Sequence, residues 1–341
     1  MGRNDSQRVD SDTRGKPVRI AVLAYPGAQR ASVHGLIDLF ETASRLAAAA
    51  NLPVPGIVAQ EYTSDECRGR RGAGLSAVIL PPSLSGTISA AEAAPLLPWL
   101  RARHREGTSL CSVCAGAFLL AATGLLDGRK ATTHWALAGA FAAAFPKVRL
   151  EADRMLIDDG DLLTAGGVMA WIDLGLRMIE RLLTPAVMLQ TARMFLVDPA
   201  GREQSHYAPH TPAIGHGDAA VLRAQQWLAE RYPNAISMPR LAAAAGVGER
   251  TFLRRFKAAT GDTPTRYLQR LRVGRARELL ELSNKAVDDV AWQIGYEDPG
   301  AFRKVFQRVV GITPGEYRRR FAPRREGNRS GLRREIAKQL Q

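Results

Sequence analysis

Leu241-Ala-Ala-Ala-Ala-Gly246 is followed 49 residues later by Val290-Ala-Trp-Gln-Ile-Gly295, and this repetition decides the fold of the stretch from Ser237 to Phe321. Three more pairs of matches follow in the same order, and the spacing becomes 50 residues after one insertion near Pro299. The pairs are Phe252-x-x-x-Phe256 with Phe302-x-x-x-Phe306, Gly261-Asp-Thr-Pro264 with Gly311-Ile-Thr-Pro314, and Tyr267-x-x-Arg270 with Tyr317-x-x-Arg320. A period of this length is typical of a duplicated helical unit.

Each copy predicts a short helix, a turn and a second helix, the order of a helix-turn-helix motif. In the first copy Ser237 is expected to cap the first helix and Gly246 to form the turn. Phe252 and Phe256 lie at i, i+4 spacing, which predicts the buried stripe of the second helix.

The second copy has the same order with different end signals. Gly295 stands at the turn, and Asp298-Pro299 is expected to supply the N-cap and the first residue of the following helix. Ala286 stands where the first copy has Ser237, so we expect a cap that is weaker by ~1 kcal/mol.

A long helix is predicted between the two copies, beginning at Thr263-Pro264. About 19 residues of helix span roughly 28 Å, close to the ~34 Å rise of one DNA turn. The second helices of the two copies can therefore enter successive major grooves on one face of a duplex.

The region from Asp218 to Phe321 resembles the AraC/XylS-type DNA-binding domain. The doubled phenylalanine and Gly-x-Thr-Pro-x-x-Tyr patterns carry the resemblance, together with Arg272-x-x-x-Ala276-Arg-x-Leu-Leu280 on the joining helix. The resemblance implies an all-α domain that binds double-stranded DNA. It also implies base-facing positions at Arg250, Leu253 and Arg254 in the first copy, and at Gly300, Arg303 and Lys304 in the second.

The chemistry of these residues agrees with DNA contact for the cations. Arg250 and Arg254 lie one helical turn apart, opposite the phenylalanine stripe, and arginine pairs bidentately with guanine. Leu253 and Gly300 make no such hydrogen bonds, so Leu253 is expected to touch a thymine methyl group and Gly300 leaves the second copy with fewer direct readers. The alternative interpretation is that the arginines form a solvated helix face.

Charge separates the two halves of the chain. Of the net +14 on 341 residues, residues 218–341 carry +12, from 25 Lys/Arg against 13 Asp/Glu. Residues 1–217 carry +2, from 22 against 20. The basic half is therefore the one expected to neutralise phosphates.

Residues 18–198 predict an α/β domain with a flavodoxin-like sandwich and a mostly parallel sheet, because strand and helix patterns alternate. Strands are expected at Val18–Tyr25, Val54–Ala59, Ala77–Leu80 and Thr108–Val113, and helices at Gly35–Ala50, Pro95–Arg105 and Gly116–Ala122.

Cys114 follows an apolar strand and directly precedes a helix. Such a sharp elbow projects the central side chain beside free helix N–H groups, which lower the pKa of a thiol, so the elbow favours a thiolate at Cys114. His134 supplies an imidazole 20 residues later. The alternative is that Cys114 is only a small residue that fits a tight turn.

The elbow and its surroundings resemble the ThiJ/PfpI-type, class I glutamine amidotransferase-like domain over about Val18 to Val197. The matching segments are Val113-Cys-Ala-Gly116, Gly124-Leu-Leu-Asp-Gly128, Thr132-Thr-His-Trp135, Asp159-Gly160 and Thr164-Ala-Gly-Gly-Val168. Enzymes of that type place an acidic residue beside the thiol, and the corresponding position here is Ser32 on the loop after the first strand. This departure predicts that the domain is not an enzyme.

We therefore expect a ligand pocket formed by Cys114, Ala115, His134, Ser32 and His34. No catalytic residue, metal site or cofactor is predicted, since tetrahedral zinc needs four ligands and no second CxxC occurs.

The remaining segments complete the expected domain map. Residues 1–17 are predicted to be a disordered N-terminus and 199–217 a Gly/Pro-rich linker, followed by the DNA-binding domain over 218–321 and a basic flexible tail over 322–341. No signal peptide or membrane helix is expected, and three cysteines make no disulfide framework, so the expected compartment is the cytoplasm.

The two resemblances, in this order, look like the GlxA-type subgroup of AraC-family transcription regulators. The resemblance implies a homodimer that binds specific DNA sequences and senses a small, nitrogen-containing metabolite. The alternative is a cysteine-dependent hydrolase or redox enzyme tethered to nucleic acid.

Overall fold

The computed structural model describes residues 16–68, 73–199, 202–209 and 215–323. Contacts divide the chain into two compact units, Met1–Ala208 and Pro209–Gln341. The predicted N-terminal lead-in up to residue 15 and the predicted basic tail from residue 324 onward lie outside the described residues.

The first unit alternates strands with helices. Its described elements are β1 Val18–Ala24, α1 Arg30–Ala49, β2 Ile57–Thr63, α2 Ser64–Arg68, β3 Ala77–Leu80, α3 Ala90–Ala93, α4 Leu97–Arg105, β4 Ser109–Val113, α5 Gly116–Ala122, β5 Lys130–Ala131, α6 Ala138–Ala144, β6 Arg149–Leu150, β7 Leu156–Asp158, β8 Leu162–Ala165, α7 Trp171–Leu182 and α8 Pro185–Met194. Short 3₁₀ turns lie at Trp135–Leu137 and Gln204–His206.

The main sheet has six strands in the order β2-β1-β3-β4-β8-β7. All its neighbouring strands pair in parallel except β7 and β8, which are antiparallel. Helices cover both faces, which explains the continuous apolar run of β1: Ile20 and Val22 enter one core, and Ala21 and Leu23 enter the other. The predicted α/β fold with a mostly parallel sheet is confirmed.

Three elements begin at least two residues from their predicted starts, and one of them, β2, also ends at Thr63 rather than Ala59. Helix α1 begins at Arg30 rather than Gly35, and its N-cap residue Gln29 forms no side-chain capping bond, so the sequence carries no start signal there. Strand β2 begins at Ile57, beyond Pro53 and Pro55, and pairs with β1 along seven residues. Helix α4 begins at Leu97, two residues later than predicted.

The second unit is helical, as predicted. Its described elements are α9 Ala219–Arg231, α10 Met238–Ala245, α11 Glu249–Thr260, α12 Pro264–Leu282, α13 Val287–Gln293, α14 Pro299–Val310 and α15 Pro314–Phe321. Helices α10 and α11 form the first helix-turn-helix motif, and α13 and α14 form the second. Gly246 and Gly295 turn the chain with φ of 72° and 90°, values that favour glycine.

Two duplicated cores hold this unit together. Phe252 and Phe256 are fully buried, and the ring of Phe256 meets Tyr267 edge to face at 5.3 Å. Phe306 meets Tyr317 in the same way at 5.5 Å. The phenylalanine stripes predicted from the repeat therefore anchor α11 and α14 to the helices that follow them.

The predicted difference between the two first-helix caps is wrong. Ser237 occupies the N-cap position of α10, but its side chain forms no capping hydrogen bond, and neither does Ala286 at α13. Pro239 is the second residue of α10 and has no N–H, which removes one of the two amides that an N-cap serine can bind. The predicted cap at Asp298 is present, because its carboxylate accepts from the amides of Gly300 and Ala301 at 2.7 and 3.0 Å.

Candidate DNA-binding surface and candidate ligand pocket

Helix α11 presents a polar face opposite its buried stripe. Arg250 and Arg254 are exposed on this face, and Leu253 is 38% exposed. Within the described part of the chain, no ion pair engages Arg250 or Arg254, so both guanidinium groups are available to a ligand. The structure thus places the three sequence-predicted residues of the first motif on one accessible helix face.

Helix α14 carries the corresponding residues of the second motif, and these residues differ in exposure and ion pairing. Lys304 is exposed, whereas the guanidinium group of Arg303 forms an ion pair with Asp288 of α13. Gly300 lies against its own cap, since a Cβ atom there would be 3.1 Å from Oδ1 of Asp298. Gly300 therefore serves the start of α14 and offers no side chain to DNA.

Two contacts set the spacing of the two motifs. Arg272 on α12 donates to the carbonyl oxygens of Tyr232 and Asn234 at 2.8 and 3.0 Å, and its guanidinium group lies 5.3 Å from the ring centre of Tyr296. A side chain at Gly295 would overlap the backbone of Pro233. The second motif is therefore tied directly to the end of α9.

The start of α9 is tied to the first recognition helix. The carboxylate of Asp218 accepts from the amides of Ala220 and Val221 and also from Arg255 on α11, in a bidentate pair at 2.7 and 2.8 Å. This pair holds the pKa of Asp218 well below its usual range, at about 2, mainly through the hydrogen bond from Arg255. Asp218 thus orients α11 from the first residues after the linker.

The predicted elbow is present at Cys114, between β4 and α5. Cys114 has φ of 55°, and its amide donates to the carbonyl oxygen of Ala165 at 2.8 Å. The hydroxyl of Thr133 donates to the carbonyl oxygen of Cys114 at 2.8 Å. Gly116 passes so close to the backbone of Leu80 that a larger residue would not fit.

The surroundings of Cys114 oppose the thiolate that the elbow alone favours. Only 3% of the residue is exposed, and burial raises the pKa of its thiol to about 11, although a hydrogen bond with the backbone of Ala115 lowers it. Desolvation penalises the charged form more strongly than the helix amides stabilise it. At neutral pH the thiol is therefore protonated and enclosed.

The other predicted pocket residues lie in different surroundings. Ser32 is fully buried and donates to the carbonyl oxygen of Gln29 at 2.7 Å, and Ala115 is 2% exposed. His34 is exposed. Ser32 and His34 both lie in the first turns of α1 and not on a loop, which corrects the prediction for these two positions.

His134 is half-buried beside the elbow segment. Its Nδ1 accepts from the amide of Ala136 at 3.1 Å, and burial lowers the pKa of its imidazole. The lowered pKa and the accepting Nδ1 both favour the neutral ring with the proton on Nε2. Its neighbour Thr133 connects this segment to Cys114.

Sequence reasoning missed Gln204, which is 2% exposed. Its amide nitrogen donates to the carbonyl oxygens of Thr133 and Arg154 at 2.8 and 2.9 Å, and its amide oxygen accepts from the amide of Trp135 at 2.9 Å. A side chain at Gly166 would overlap this amide group. The Gly in Thr164-Ala-Gly-Gly was the available signal, since such a residue marks a close approach.

Residues 202–208, here called the strap, pack on the first unit, so the predicted linker starts too early. Glu203 accepts from the amide of Met155 at 2.8 Å and pairs with Arg154 at 2.9 Å, while Arg202 pairs with Asp173. A cavity of about 180 Å³ lies beside the strap, between α7, α8 and β7. Its charged walls are occupied by ion pairs among its own residues, such as that of Arg177 with Glu180.

Among the described residues, no group of three or more His, Cys, Asp or Glu side chains is placed to hold a metal ion. No described helix combines the length and apolar character needed to cross a membrane.

Comparison with known proteins assigns both halves of the chain. Residues 19–181 match the DJ-1/PfpI family, and residues 241–320 match a helix-turn-helix domain. The HTH-type transcriptional regulator GlxA of Rhizobium meliloti is 32% identical over 229 residues, covering 65% of this chain and 68% of that protein. The regulator CdhR of Pseudomonas aeruginosa is 28% identical over 224 residues, covering 65% and 66%.

One solved structure adds a local match. The DNA-binding domain of AdpA, solved in complex with a target DNA, is 36% identical, with a TM-score of 0.30, and the match covers 32% of this chain and 98% of that one. The matched regions span 66–68% of the length of the two regulators. The chain belongs to the GlxA-like family of helix-turn-helix transcriptional regulators, in which a DJ-1/PfpI domain is combined with an AraC-type DNA-binding domain.

Proposed function

We propose that this protein binds specific double-stranded DNA sequences through α11 and α14 and changes transcription when its DJ-1/PfpI unit meets a small molecule. The observation that carries the proposal is the pair of recognition helices anchored on duplicated cores and joined by α12, whose 19 residues span roughly 28 Å. That distance suits two successive major grooves.

The proposed base contacts differ between the two motifs. Arg250 and Arg254 suit guanine, and Leu253 suits a thymine methyl group. In the second motif Lys304 and Arg303 are the proposed readers, and Gly300 contributes none. The two half-sites are therefore expected to differ in sequence and in strength.

For the effector, we propose a small, nitrogen-containing metabolite that acts at the elbow formed by Cys114, Ala115 and His134. Two hydrogen bonds support this position, because Thr133 binds the carbonyl oxygen of Cys114 and Gln204 of the strap binds that of Thr133. A ligand that displaces this segment would shift the point where the linker begins. Ser32 and His34 remain part of the proposed pocket.

We also propose a homodimer, since two copies double the number of half-sites bound and thereby the specificity. A DNA-binding role requires access to the chromosome, which supports the cytoplasm as the proposed location.

The enzyme alternative is weakened by the enclosed, protonated thiol of Cys114 and by Ser32, whose hydroxyl donates to the carbonyl oxygen of Gln29.

Binding of the full-length protein to duplexes selected from a random-sequence pool tests this proposal. We expect enrichment of a bipartite sequence and an affinity that falls with salt, by roughly one unit of log-log slope per phosphate contact. A pool without enrichment, or binding that is indifferent to salt between dilute and physiological buffer, would contradict DNA recognition.

A further inference from the structure

The ion pair between Arg303 and Asp288 connects the two helices of the second motif. Arg303 lies on the exposed face of α14, and Asp288 lies in the first turn of α13. Their side chains are 49% and 44% exposed, so the pair faces solvent on the surface expected to meet DNA. Among the proposed base-facing cations, Arg303 alone has an ion-pair partner in the described residues.

The first motif provides an internal comparison. In the repeat, the position of Arg303 corresponds to Leu253, and the position of Asp288 corresponds to Pro239. The arginine and its acidic partner thus occur together in the second motif, and both are replaced by apolar residues in the first. An acidic residue thus stands at this position of the first helix only in the motif whose second helix carries the arginine.

We propose that Asp288 is a specificity-determining positioning residue, which holds Arg303 toward one base pair and keeps it from the phosphates. The inference rests on the proposed function, because it assigns a role within DNA recognition by α14. Asp288 acts through Arg303, because its negative charge beside the guanidinium group competes with the phosphates of the DNA backbone for that group.

The physical reason is the freedom of the arginine side chain. An unrestrained arginine loses much rotamer entropy on binding and finds phosphate oxygens near any sequence. A phosphate contact adds affinity without sequence information, whereas an oriented guanidinium group pairs with one guanine. Removing the Asp288 carboxylate is thus expected to raise the affinity for DNA of any sequence and to lower the preference of Arg303 for one base over the others.

The test uses the full-length protein and the duplex that the wild type selects from a random pool. Arg303→Ala identifies the base pair read by Arg303, as the position where its preference is lost. At that pair we expect Asp288→Asn to lower the preference for the selected base about five- to tenfold, at the lower end of the range for one bidentate contact. We expect it to strengthen binding to unrelated duplexes and to steepen the salt dependence by about one phosphate contact.

Asp289→Asn is the matched control. Asp289 lies in the same first turn of α13, so its change alters the helix dipole and the net charge equally, but no ion pair of the described residues engages it. We expect Asp289→Asn to leave the base preference unchanged and Asp288→Glu to retain it. In an Arg303→Ala background, Asp288→Asn should have no further effect on that preference.

Equal effects of the Asp288 and Asp289 changes would show that charge alone matters and would overturn the inference. So would an unchanged base preference in a folded Asp288→Asn protein whose selected duplex matches that of the wild type. A wild type that selects no sequence would overturn the proposed function itself, which is a distinct result.

Discussion

At Cys114, a positive φ and an enclosed side chain occur in the same residue. The positive φ follows from the strand-to-helix turn, which the local sequence specifies through the small residues Ala115 and Gly116. The enclosure follows from other parts of the chain, and it reverses the expected direction of the thiol pKa. A nucleophilic role therefore requires opening of the elbow as well as deprotonation.

At the residue scale, the exposed cations of the recognition helices predict separable effects. Arg254→Ala is expected to cost about 1–3 kcal/mol of binding free energy and to relax specificity in one half-site, because one bidentate base contact is lost. Lys304→Ala is expected to act in the other half-site, one helical turn away. Footprints and competition with single-base variants of the selected duplex measure both.

Arg308→Ala is a charge control, because Arg308 is exposed in the last turn of α14, one helical turn beyond Lys304 and outside the set of proposed base-facing residues. Overlapping losses for Arg254→Ala and Lys304→Ala, on the same base pairs, would contradict docking in two successive grooves.

At the scale of elements, the strap is fixed to the first unit mainly by Gln204. Gln204→Ala leaves the amide of Trp135 without its acceptor, and a buried unpaired group costs about 1–3 kcal/mol. It also removes one of the donors to the carbonyl oxygens of Thr133 and Arg154, which then keep only the hydroxyl of Thr132. We expect a loss of about 3 kcal/mol in the free energy of unfolding of the first unit, measured with denaturant, and faster amide exchange over residues 203–208.

Gln190→Ala offers the matched control, since Gln190 is an exposed glutamine on α8 of the same unit. A loss below about 0.5 kcal/mol for Gln204→Ala, the size usual for surface changes, would mean that the strap is not held by this side chain.

On the scale of the whole molecule, the proposed regulatory role requires that a ligand bound by the first unit changes the affinity of the second unit for DNA. Screening a metabolite panel should identify a compound that, at 100 times its Kd, adds about 2.7 kcal/mol to the stability of the protein. The same compound should change the affinity of the protein for the selected duplex.

Cys114→Ser should preserve the fold and the affinity for DNA but alter the response to this compound, because the elbow accepts a small polar side chain while contacts to the ligand change.

Turnover assays with small amides, esters and aldehydes separate the sensor from the enzyme. We expect no multiple turnover. Sustained product formation by the wild type, abolished in both Cys114→Ser and His134→Ala, would require a nucleophile and its base and would establish the enzyme alternative.

Local patterns by themselves determined the two-part architecture. The doubled phenylalanine stripes, the turn glycines and the Thr-Pro starts act over three or four residues, so they are readable in the sequence, and α12 has the predicted extent. The elbow at Cys114 is readable for the same reason. The start of α1 could not be read in the sequence, because Gln29 provides no cap signal. For that reason Ser32 and His34 were predicted to lie on a loop.

Only the tertiary structure decided what these local features mean chemically. The burial that keeps the Cys114 thiol protonated, the docking of Gln204 and the pairing of Arg303 with Asp288 all depend on groups from distant segments. Gln204 bonds to partners 50 to 72 residues away, from within a Gly/Pro-rich stretch that has the composition of a linker. Desolvation and hydrogen bonding are set by the atoms that surround a group after folding, and no local spacing specifies them.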